Sequence, residues 1–485
     1  MSKALDYAHR AASAWLNGLD ERPVAARAAL QDLAAAFRTP LPETGSRPEE
    51  VIAWLARHAN DGMLGSASGR FFAWVIGGSV EAALAADWMV AAWDQNAALY
   101  ACSPAASVIE DVAGEWIKEL LDLPRDASFA FTTGCQMAHV TGLAAARHAM
   151  LRSVQWDVDA NGMFGAPPIT IMASDQKHGS VERAARYLGF GRRAIMPLPT
   201  DAAGRIEPVA LANALSGQSA PAILVLNAAD LNVGACDRFA ELIPMAHAAG
   251  AWVHVDGAFG LFARASHKHR HHLDGVELAD SWATDGHKWL NVPFDCGIAI
   301  IRDRDAHRAA MTLSASYLTP EPSARDQIDW NPEWSRRARG IPVYAALKEM
   351  GREGVEAMID RCCAHCEALV AGIGALPGAQ ILHPATLNQG LVRFRRDGHT
   401  PEQDDIFTDE TLRRINATGE AYFSGTTWGG RRAMRVSVVN WRTSARDVDR
   451  AIAATRAVLA QSSDGSAAPS DVSAPFFAVA PQAGS

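Results

Sequence analysis

The 485-residue sequence has no apolar run near the roughly 18–20 residues that a membrane-spanning helix requires. Its first stretch, MSKALDYAHRAASAW, carries scattered charges and no continuous apolar core, so we expect neither a secretory signal nor a membrane partner. Basic residues are also in the minority, with 45 Lys and Arg against 54 Asp and Glu and a formal charge of −9. This balance argues against a nucleic-acid partner held by phosphate contacts.

Cysteines are few and odd in number, seven in all, which excludes a fully paired disulfide framework and favours a reducing, cytoplasmic location. An apolar fraction of 49% against 20% charged residues excludes a mainly disordered chain and is sufficient for a large core. The length allows two to four domains at roughly 100–200 residues each. The composition therefore predicts an intracellular protein large enough to be an enzyme.

From about residue 128, short apolar runs alternate with helical stretches. These runs are FAFTT (129–133), ITIMAS (169–174), AILVLN (222–227), WVHVDG (252–257) and GIAIIRD (297–303). Buried strands alternating with helices are typical of an α/β domain with a largely parallel sheet. In such domains the loops that follow the strands lie on one edge of the sheet, where ligands usually bind.

We expect four segments along the chain. Residues 1–80 are predicted to form a helical N-terminal segment and residues 81–370 the large α/β domain. Residues 371–460 are predicted to form a small α+β domain with strand-like runs at 390–396 and 434–440. Residues 461–485 are rich in Ala, Ser, Pro and Gly, which is typical of a disordered tail.

Two residues 32 positions apart suggest a shared chemistry. Lys288 stands among polar and small residues in TDGHKWLN (284–291), and Asp256 ends an apolar strand in HVDGA (254–258). A lysine amine can form a Schiff base with a carbonyl cofactor, and an acid can keep a pyridine nitrogen protonated. Alone, each residue has an ordinary interpretation, as a solvated lysine or a turn-capping acid. Together they favour a pyridoxal 5'-phosphate site.

Two further segments fit this interpretation. FTTGCQMA (131–138) runs from a strand through a turn of small residues into a helix, where backbone N–H groups and the positive helix end can hold a phosphate. SDQKHGS (174–180) ends another strand with His178, which could stack on the cofactor ring. Each pattern also suits an ordinary strand–helix turn or a structural histidine.

The chain resembles the group II pyridoxal-phosphate-dependent amino-acid decarboxylases, which include the aromatic-amino-acid, glutamate and histidine enzymes. The resemblance extends from about residue 45 to 460. It rests on FTTGCQMA, SDQKHGSVERAA, HVDGAFG, TDGHKWLNVPFDCG, SRRARGIPVYAALKEMGREG and RVSVVNWRT, in that order. It implies fold type I, the aspartate-aminotransferase-like architecture with a mostly parallel seven-stranded sheet. It also implies a homodimer formed through the N-terminal segment, with active sites at the subunit interface.

The resemblance further implies decarboxylation of an L-amino acid to its amine and CO₂, with three catalytic residues. Lys288 forms the Schiff base, Asp256 pairs with the ring nitrogen, and His178 stacks on the ring and helps to bind the substrate carboxylate. The implied cofactor-binding set is Thr133, Gly134, Cys135, Gln136, His178, Asn232, Asp256, Ala258, His287 and Lys288. The substrate pocket is expected to include Trp74, Gly77, Asn96 and Ala98, and the last two match positions that the aromatic enzymes contribute from the partner subunit.

Three features depart from the family pattern. Gln136 and Met137 replace the usual Ser/Thr and Glu of the phosphate loop, and Asp230 replaces a Thr of the aromatic enzymes. The loop at 324–334, where those enzymes carry a proton-donating tyrosine, has none, and Tyr317 is the nearest phenol. Without a proton donor the substrate carbanion can react with O₂, so an aldehyde-forming synthase is the alternative function. A non-catalytic binding protein of the same fold is the alternative from another class.

No metal site is predicted. A segment with four soft ligands lies in a long Ala/Leu-rich helix with no second ligand cluster nearby, which favours thiols buried on a core face. These four ligands are Cys362, Cys363, His365 and Cys366.

Overall fold

The computed structural model describes residues 2–218, 220–313 and 324–463. Its helices are α1 (Lys3–Asn17), α2 (Leu30–Phe37), α3 (Pro48–Ala59), α4 (Glu81–Trp93), α5 (Pro104–Leu120), α6 (Cys135–Ser153), α7 (Val158–Asn161), α8 (Gly179–Tyr187), α9 (Pro208–Ser216), α10 (Phe239–Ala248), α11 (Arg304–Met311), α12 (Gly340–Gly374), α13 (Pro401–Ala417) and α14 (Ala445–Ser463). Its strands are β1 (Phe71–Phe72), β2 (Ser128–Thr132), β3 (Thr170–Ser174), β4 (Ile195–Leu198), β5 (Ala222–Asn227), β6 (Trp252–Asp256), β7 (Ser281–Asp285), β8 (Gly297–Ile301), β9 (Ala379–Thr386), β10 (Gln389–Phe394), β11 (Tyr422–Trp428) and β12 (Arg431–Ser437). Within the described ranges, none of the helices combines the length and apolar character that a bilayer crossing needs.

The larger sheet has seven strands in the order β2-β8-β7-β6-β5-β3-β4. Strand β8 pairs antiparallel with β2 and β7, and the remaining neighbours pair in parallel. The prediction of a mostly parallel, seven-stranded sheet is therefore confirmed.

Alternating side chains of the strands bury both faces of this sheet. Along β5, Leu224 and Leu226 pack into one apolar cluster, while Ile223 and Val225 pack into a second cluster on the opposite face. A strand covered on both faces needs apolar residues at every position, which explains the uninterrupted run AILVLN.

The smaller sheet has the order β1-β11-β12-β10-β9. Its first strand comes from far upstream, because Phe71 and Phe72 pair in parallel with residues 422 and 423. The helix α12 packs against this sheet and is interrupted at Gly351, whose φ of 61° lies in the left-handed region. The helix α14 ends at Ser463, inside the segment expected to be disordered, and residues 464–485 lie outside the described residues.

Six strands of the large sheet end on the same edge, β4 among them because it pairs in parallel with β3. Because β8 runs opposite to both its neighbours, β2 points the same way as β7, β6, β5 and β3. The loops that follow Thr132, Ser174, Asn227, Asp256 and Asp285 consequently meet there. This edge is where a parallel sheet usually binds its ligand.

Candidate active site

A cavity of about 660 Å³ opens at this edge of the sheet. Lys288 and Asp256 both line it, so the two residues that the sequence suggested as partners share one space. They come from adjacent parallel strands, because Asp256 ends β6 and the turn after β7 carries Lys288.

Most of the other predicted site residues also line this cavity. They are Trp74, Thr133, Gly134, Cys135, Gln136, His178, Ala258 and His287. Four predicted residues do not line it: Gly77, Asn96, Ala98 and Asn232.

Each of these four residues has a local contact that accounts for its position. Asn232 Oδ1 accepts a hydrogen bond from Thr426 Oγ1 at 2.7 Å, which joins the loop after β5 to the small sheet. Gly77 packs on the backbone of Lys288, where a Cβ would lie 2.3 Å from the carbonyl oxygen. Asn96 Oδ1 accepts from the backbone N–H groups of Ala98 and Arg336 at 3.2 and 3.1 Å.

The Lys288 amine lies in the cavity beside a buried carboxylate. Its Nζ is 3.0 Å from Asp285 Oδ2, and Asp285 is almost inaccessible to solvent. Burial disfavours the ammonium form, but several neighbouring groups together outweigh it, and Asp285 contributes most through its charge and its hydrogen bond to the amine. The pKa of Lys288 therefore lies above its ordinary value.

The Asp256 carboxylate is held from two sides at the end of β6. Its Oδ1 accepts from the backbone N–H of Ala258 at 3.2 Å, and its Oδ2 lies 3.4 Å from His139 Nε2. Burial by itself would raise the pKa of Asp256, but the basic groups of His139 and Lys288 outweigh it and hold that pKa below its usual range. Asp256 is accordingly an anion at neutral pH.

The turn between β2 and α6 brings a helix N-terminus to the cavity. Gly134 has a φ of 146°, a conformation that side chains disfavour, and the 19-residue helix α6 begins at the next residue. The backbone N–H of Cys135 already donates to Asp285 Oδ1 at 2.6 Å. A phosphate at this turn therefore has to use neighbouring donors or displace the Asp285 carboxylate.

Hydrogen bonds fix the proton position on two histidines of the cavity. His178 Nδ1 accepts from the backbone N–H of Ser180 at 3.2 Å, so a neutral ring carries its proton on Nε2. Desolvation in the cavity, only partly offset by Asp256, lowers the pKa of His178. His287 Nδ1 accepts from the backbone N–H of Cys296 at 3.0 Å, which leaves its Nε2–H directed at Asp285, 3.6 Å away.

Sequence reasoning missed two cations in the cavity, Arg183 and Arg435. Arg435 on β12 is buried, and among the described residues nothing accepts a hydrogen bond from its guanidinium. Burial, partly offset by Asp230, lowers its pKa to about 10, so it stays positively charged at neutral pH. The only sequence signal was its place in RVSVVNWRT, a motif to which no role was assigned.

The unusual acid at position 230 is compensated in the fold. Asp230 Oδ1 accepts from the backbone N–H groups of Asn232 and Val233 at 2.7 and 3.0 Å. Burial raises the pKa of Asp230, and these donors and Arg435 act against that rise. The acid is thus satisfied within its own loop.

The chain is similar to a known domain and to several characterised proteins. Residues 32–397 match the pyridoxal-dependent decarboxylase conserved domain. An aromatic-L-amino-acid decarboxylase of Bacillus atrophaeus is 27% identical over 444 residues, which cover 89% of this chain and 90% of that protein. An L-2,4-diaminobutyrate decarboxylase of Rhizobium meliloti strain 1021 is 28% identical over 416 residues, covering 84% and 81%. A 4-hydroxyphenylacetaldehyde synthase of Rhodiola rosea is 26% identical over 449 residues, covering 89% of both.

A solved structure agrees with the architecture. The crystal structure of Oryza sativa TDC with PLP and tryptamine superposes with a TM-score of 0.87 at 24% identity, covering 94% of this chain and 97% of that one. This likeness concerns the fold, and it confirms the predicted fold type I.

Proposed function

The chain belongs to the pyridoxal-dependent decarboxylase family, and from this premise we propose that it releases the α-carboxylate of an L-amino acid as CO₂ and leaves the amine. Family membership confirms the predicted enzyme class and pyridoxal 5'-phosphate as the cofactor. The observation that carries the proposed reaction is the single cavity lined by Lys288 and Asp256.

The described residues fit this cofactor. The cavity offers an amine at Lys288, a buried anion at Asp256, and a helix N-terminus behind Gly134. The amine can condense with the aldehyde, the anion can pair with the pyridine nitrogen, and the helix N-terminus can hold the phosphate.

Bound pyridoxal phosphate supplies an aldehyde that condenses with amines and a cationic ring that takes up the electron pair left by departing CO₂. Lys288 provides the amine that holds the cofactor and yields its place to the substrate. Asp256 stays anionic and so favours the proton on the ring nitrogen. His178, whose Nε2–H is fixed by Ser180, is assigned to the ring face.

The substrate carboxylate is assigned to Arg435. A buried guanidinium without a described hydrogen-bond acceptor is costly unless an anion fills that place. The substrate carboxylate would supply such an anion through charge-assisted hydrogen bonds.

Replacing Arg435 by leucine is therefore expected to raise KM by roughly 10- to 100-fold, because a hydrogen bond between charged groups contributes about 1.5–3 kcal/mol. Steady-state kinetics of CO₂ release measure this. Arg432→Leu is the matched control, since Arg432 lies on the same strand but pairs with Asp409 outside the cavity. An unchanged KM for Arg435→Leu contradicts the assignment.

Asp285 is expected to slow the entry of the cofactor at neutral pH. Its carboxylate raises the pKa of Lys288, and only the neutral amine attacks an aldehyde. The rate of reconstitution from apo-protein should thus increase with pH. At pH 7, Asp285→Asn should react about three- to tenfold faster, since one pKa unit corresponds to tenfold in the neutral fraction.

Stopped-flow absorbance after mixing apo-protein with pyridoxal phosphate measures this rate. Asn can still accept from the Cys135 N–H, so the variant removes the charge and keeps the hydrogen bond. Asp274→Asn, at an exposed carboxylate, is the control. A slower Asp285→Asn reaction with the wild-type pH dependence would contradict the assigned ion pair.

An aldehyde product is the second candidate. None of the described tyrosines lines the cavity, the 324–334 loop has no tyrosine, and Tyr317 lies outside the described residues. If no group protonates the carbanion, O₂ can accept its electrons and become hydrogen peroxide, and hydrolysis then releases aldehyde and ammonia. The similarity to the Rhodiola rosea aldehyde synthase also supports testing for an aldehyde product.

One experiment tests the reaction, the substrate and the product together. Each of the twenty amino acids and 2,4-diaminobutyrate is incubated with holoenzyme under air, and CO₂, amine, aldehyde, ammonia and peroxide are measured. The cavity presents both aromatic and polar side chains, Trp74 and Phe294 beside Gln176 and Arg183, so both substrate classes belong in the screen. Amine equal to CO₂ supports the decarboxylase. Stoichiometric ammonia and peroxide support the synthase, and no CO₂ from any compound refutes both.

The proposed assembly is a homodimer in the cytoplasm. The helices α1 to α4 expose large apolar side chains, which favours burial against a second copy. These side chains include Leu5, Leu30, Val51, Trp54, Leu55, Trp88, Met89 and Trp93. Free thiols at all seven cysteines suit a reducing compartment. Sedimentation equilibrium tests the dimer, and a monomer at micromolar concentration would contradict it.

A further inference from the structure

Behind Asp256, away from the cavity, a line of buried polar side chains crosses from the large sheet to α6. His139 Nε2 lies 3.4 Å from Asp256 Oδ2, and His139 Nδ1 lies 2.9 Å from His254 Nε2. His254 Nδ1 lies 2.8 Å from Ser281 Oγ, which also accepts from the indole N–H of Trp252 at 2.9 Å. His139, His254 and Ser281 are inaccessible to solvent.

We propose that His139, held by His254 and Ser281, is a positioning residue that keeps the Asp256 carboxylate ionised and aimed at the cofactor ring nitrogen. This inference rests on the proposed function, because it gives Asp256 the ring nitrogen as its partner. Nothing in the sequence motifs pointed to His139, which lies within helix α6.

Donor and acceptor rules set the direction of this line when both rings are neutral. Asp256 is an acceptor only, so His139 must present Nε2–H to it, and its Nδ1 must then accept. His254 consequently donates from Nε2 and accepts at Nδ1 from the hydroxyl of Ser281. Ser281 is free to donate because Trp252 can only donate to it. Every proton along the line therefore points towards Asp256.

The environment keeps the middle of the line neutral and rigid. Burial, followed by the proximity of His139, lowers the pKa of His254 to about 3, so this ring is uncharged at neutral pH. Gly142 on α6 leaves room for it, since a Cβ there would approach His254 Cε1 to 2.7 Å. The strands also match, because His254 and Ser281 face each other in the β6–β7 pairing.

A second neighbour of His139 does not disturb this arrangement. Cys135 Sγ lies 3.4 Å from His139 Nε2. Burial, with Asp285 and Asp256 adding to it, raises the pKa of the Cys135 thiol well above its ordinary value, so the sulfur is uncharged. A neutral thiol is a weak acceptor, and the carboxylate remains the stronger partner for the Nε2–H.

Without His139 the buried carboxylate would lose its principal compensation. Burial alone raises the pKa of Asp256, and His139 is the largest opposing influence. A carboxylate that takes up a proton no longer favours the charge on a ring nitrogen. The loss of ligand affinity on replacing His139 should therefore require the ring nitrogen. A residue that only supports the fold would instead affect ligands with and without that nitrogen equally.

The test compares two ligands on apo-protein, pyridoxal phosphate and its analogue in which C–H replaces the ring nitrogen. Fluorescence titration gives both dissociation constants for the wild type and for His139→Leu, His139→Gln and Ser281→Ala. Gln can still donate to Asp256, and Ser281→Ala breaks the line at its far end in case the leucine variant does not fold. His307→Gln is the matched control, since His307 is equally buried but bonds Ser128 and the backbone carbonyl of Trp330.

The wild type should prefer pyridoxal phosphate over the analogue by roughly tenfold or more, as expected for a charged hydrogen bond. His139→Leu should lose most of this preference and about 10- to 100-fold in kcat, while His139→Gln stays within about threefold of the wild type. Ser281→Ala should lose part of the preference, and His307→Gln none.

Equal weakening of both ligands in His139→Leu or Ser281→Ala would reveal a merely structural role and overturn the inference. If Asp256→Asn loses the preference but the His139 variants keep it, only the positioning role of His139 is refuted and the proposed function stands. If the wild type has no preference, or binds neither ligand, the proposed function fails as well.

Discussion

Replacing Lys288 by alanine is expected to lower kcat by at least about 10³-fold, the largest loss that any single substitution in this chain should cause. Among the described residues that line the cavity, Lys288 is the only lysine. Without it, the cofactor has no covalent anchor there, and the substrate has no bound aldehyde to exchange with. Pyridoxal phosphate should still bind noncovalently through the remaining contacts.

The variant Lys288→Arg separates the loss of the reactive amine from the loss of positive charge at this position. Arginine keeps the cation beside Asp285 but remains protonated and cannot condense with an aldehyde. We expect it to be as inactive as Lys288→Ala and more stable to heat. Borohydride reduction of the wild-type holoenzyme should fix the cofactor to the peptide that contains residue 288, which mass spectrometry detects.

The exposed Lys268→Ala serves as the control and should keep wild-type activity. Residual turnover above about a tenth of the wild type in both position-288 variants would contradict the assignment, as would labelling of another lysine.

The core of the site was predictable because it depends on strand order and strand ends. The run WVHVD is readable as a buried strand, and its last residue, Asp256, must lie at the ligand-binding edge. The turn that carries Lys288 belongs to the same edge for the same reason. It was therefore possible to predict that Lys288 and Asp256 meet in the cavity without any knowledge of side-chain packing.

Other features depend on contacts that no local pattern encodes. The two-residue strand at 71–72 is too short for a periodic signal, yet it completes the small sheet. Residues 138–146 of helix α6 are all buried, so no amphipathic pattern distinguishes His139, and only the fold brings it to His254. Arg435 is isolated in sequence from the loops of the large sheet, and only packing of the two sheets brings it into the cavity.

Two residues of the predicted substrate pocket, Asn96 and Ala98, do not line the cavity. Asn96 is exposed and Ala98 is buried away from the cavity, and both were expected to act across a subunit interface. They remain a prediction that depends on the proposed dimer. A mutation at Asn96 should change substrate preference only if the second subunit completes the pocket.

Replacing Asp256 by asparagine is expected to lower kcat by roughly 10²- to 10⁴-fold, or about 2.7–5.5 kcal/mol of transition-state stabilisation. Asn has nearly the same shape and can still accept from the Ala258 N–H, so the substitution removes mainly the charge. A neutral amide does not favour a protonated ring nitrogen, and the ring then accepts electrons from the substrate less readily. Asp256→Glu keeps the charge and should retain more activity than Asp256→Asn.

A second buried acid provides the control for Asp256. Asp237 accepts from the backbone N–H groups of Asn227 and Ile206 and does not line the cavity. Burial raises its pKa to about 6, whereas the pKa of Asp256 lies below its usual range, so the two acids occupy opposite electrostatic environments. Asp237→Asn should therefore change the melting temperature more than kcat, and Asp256→Asn the reverse. If Asp256→Asn kept a third of the activity while Asp237→Asn lost its activity, the role of Asp256 as the catalytic anion would be contradicted.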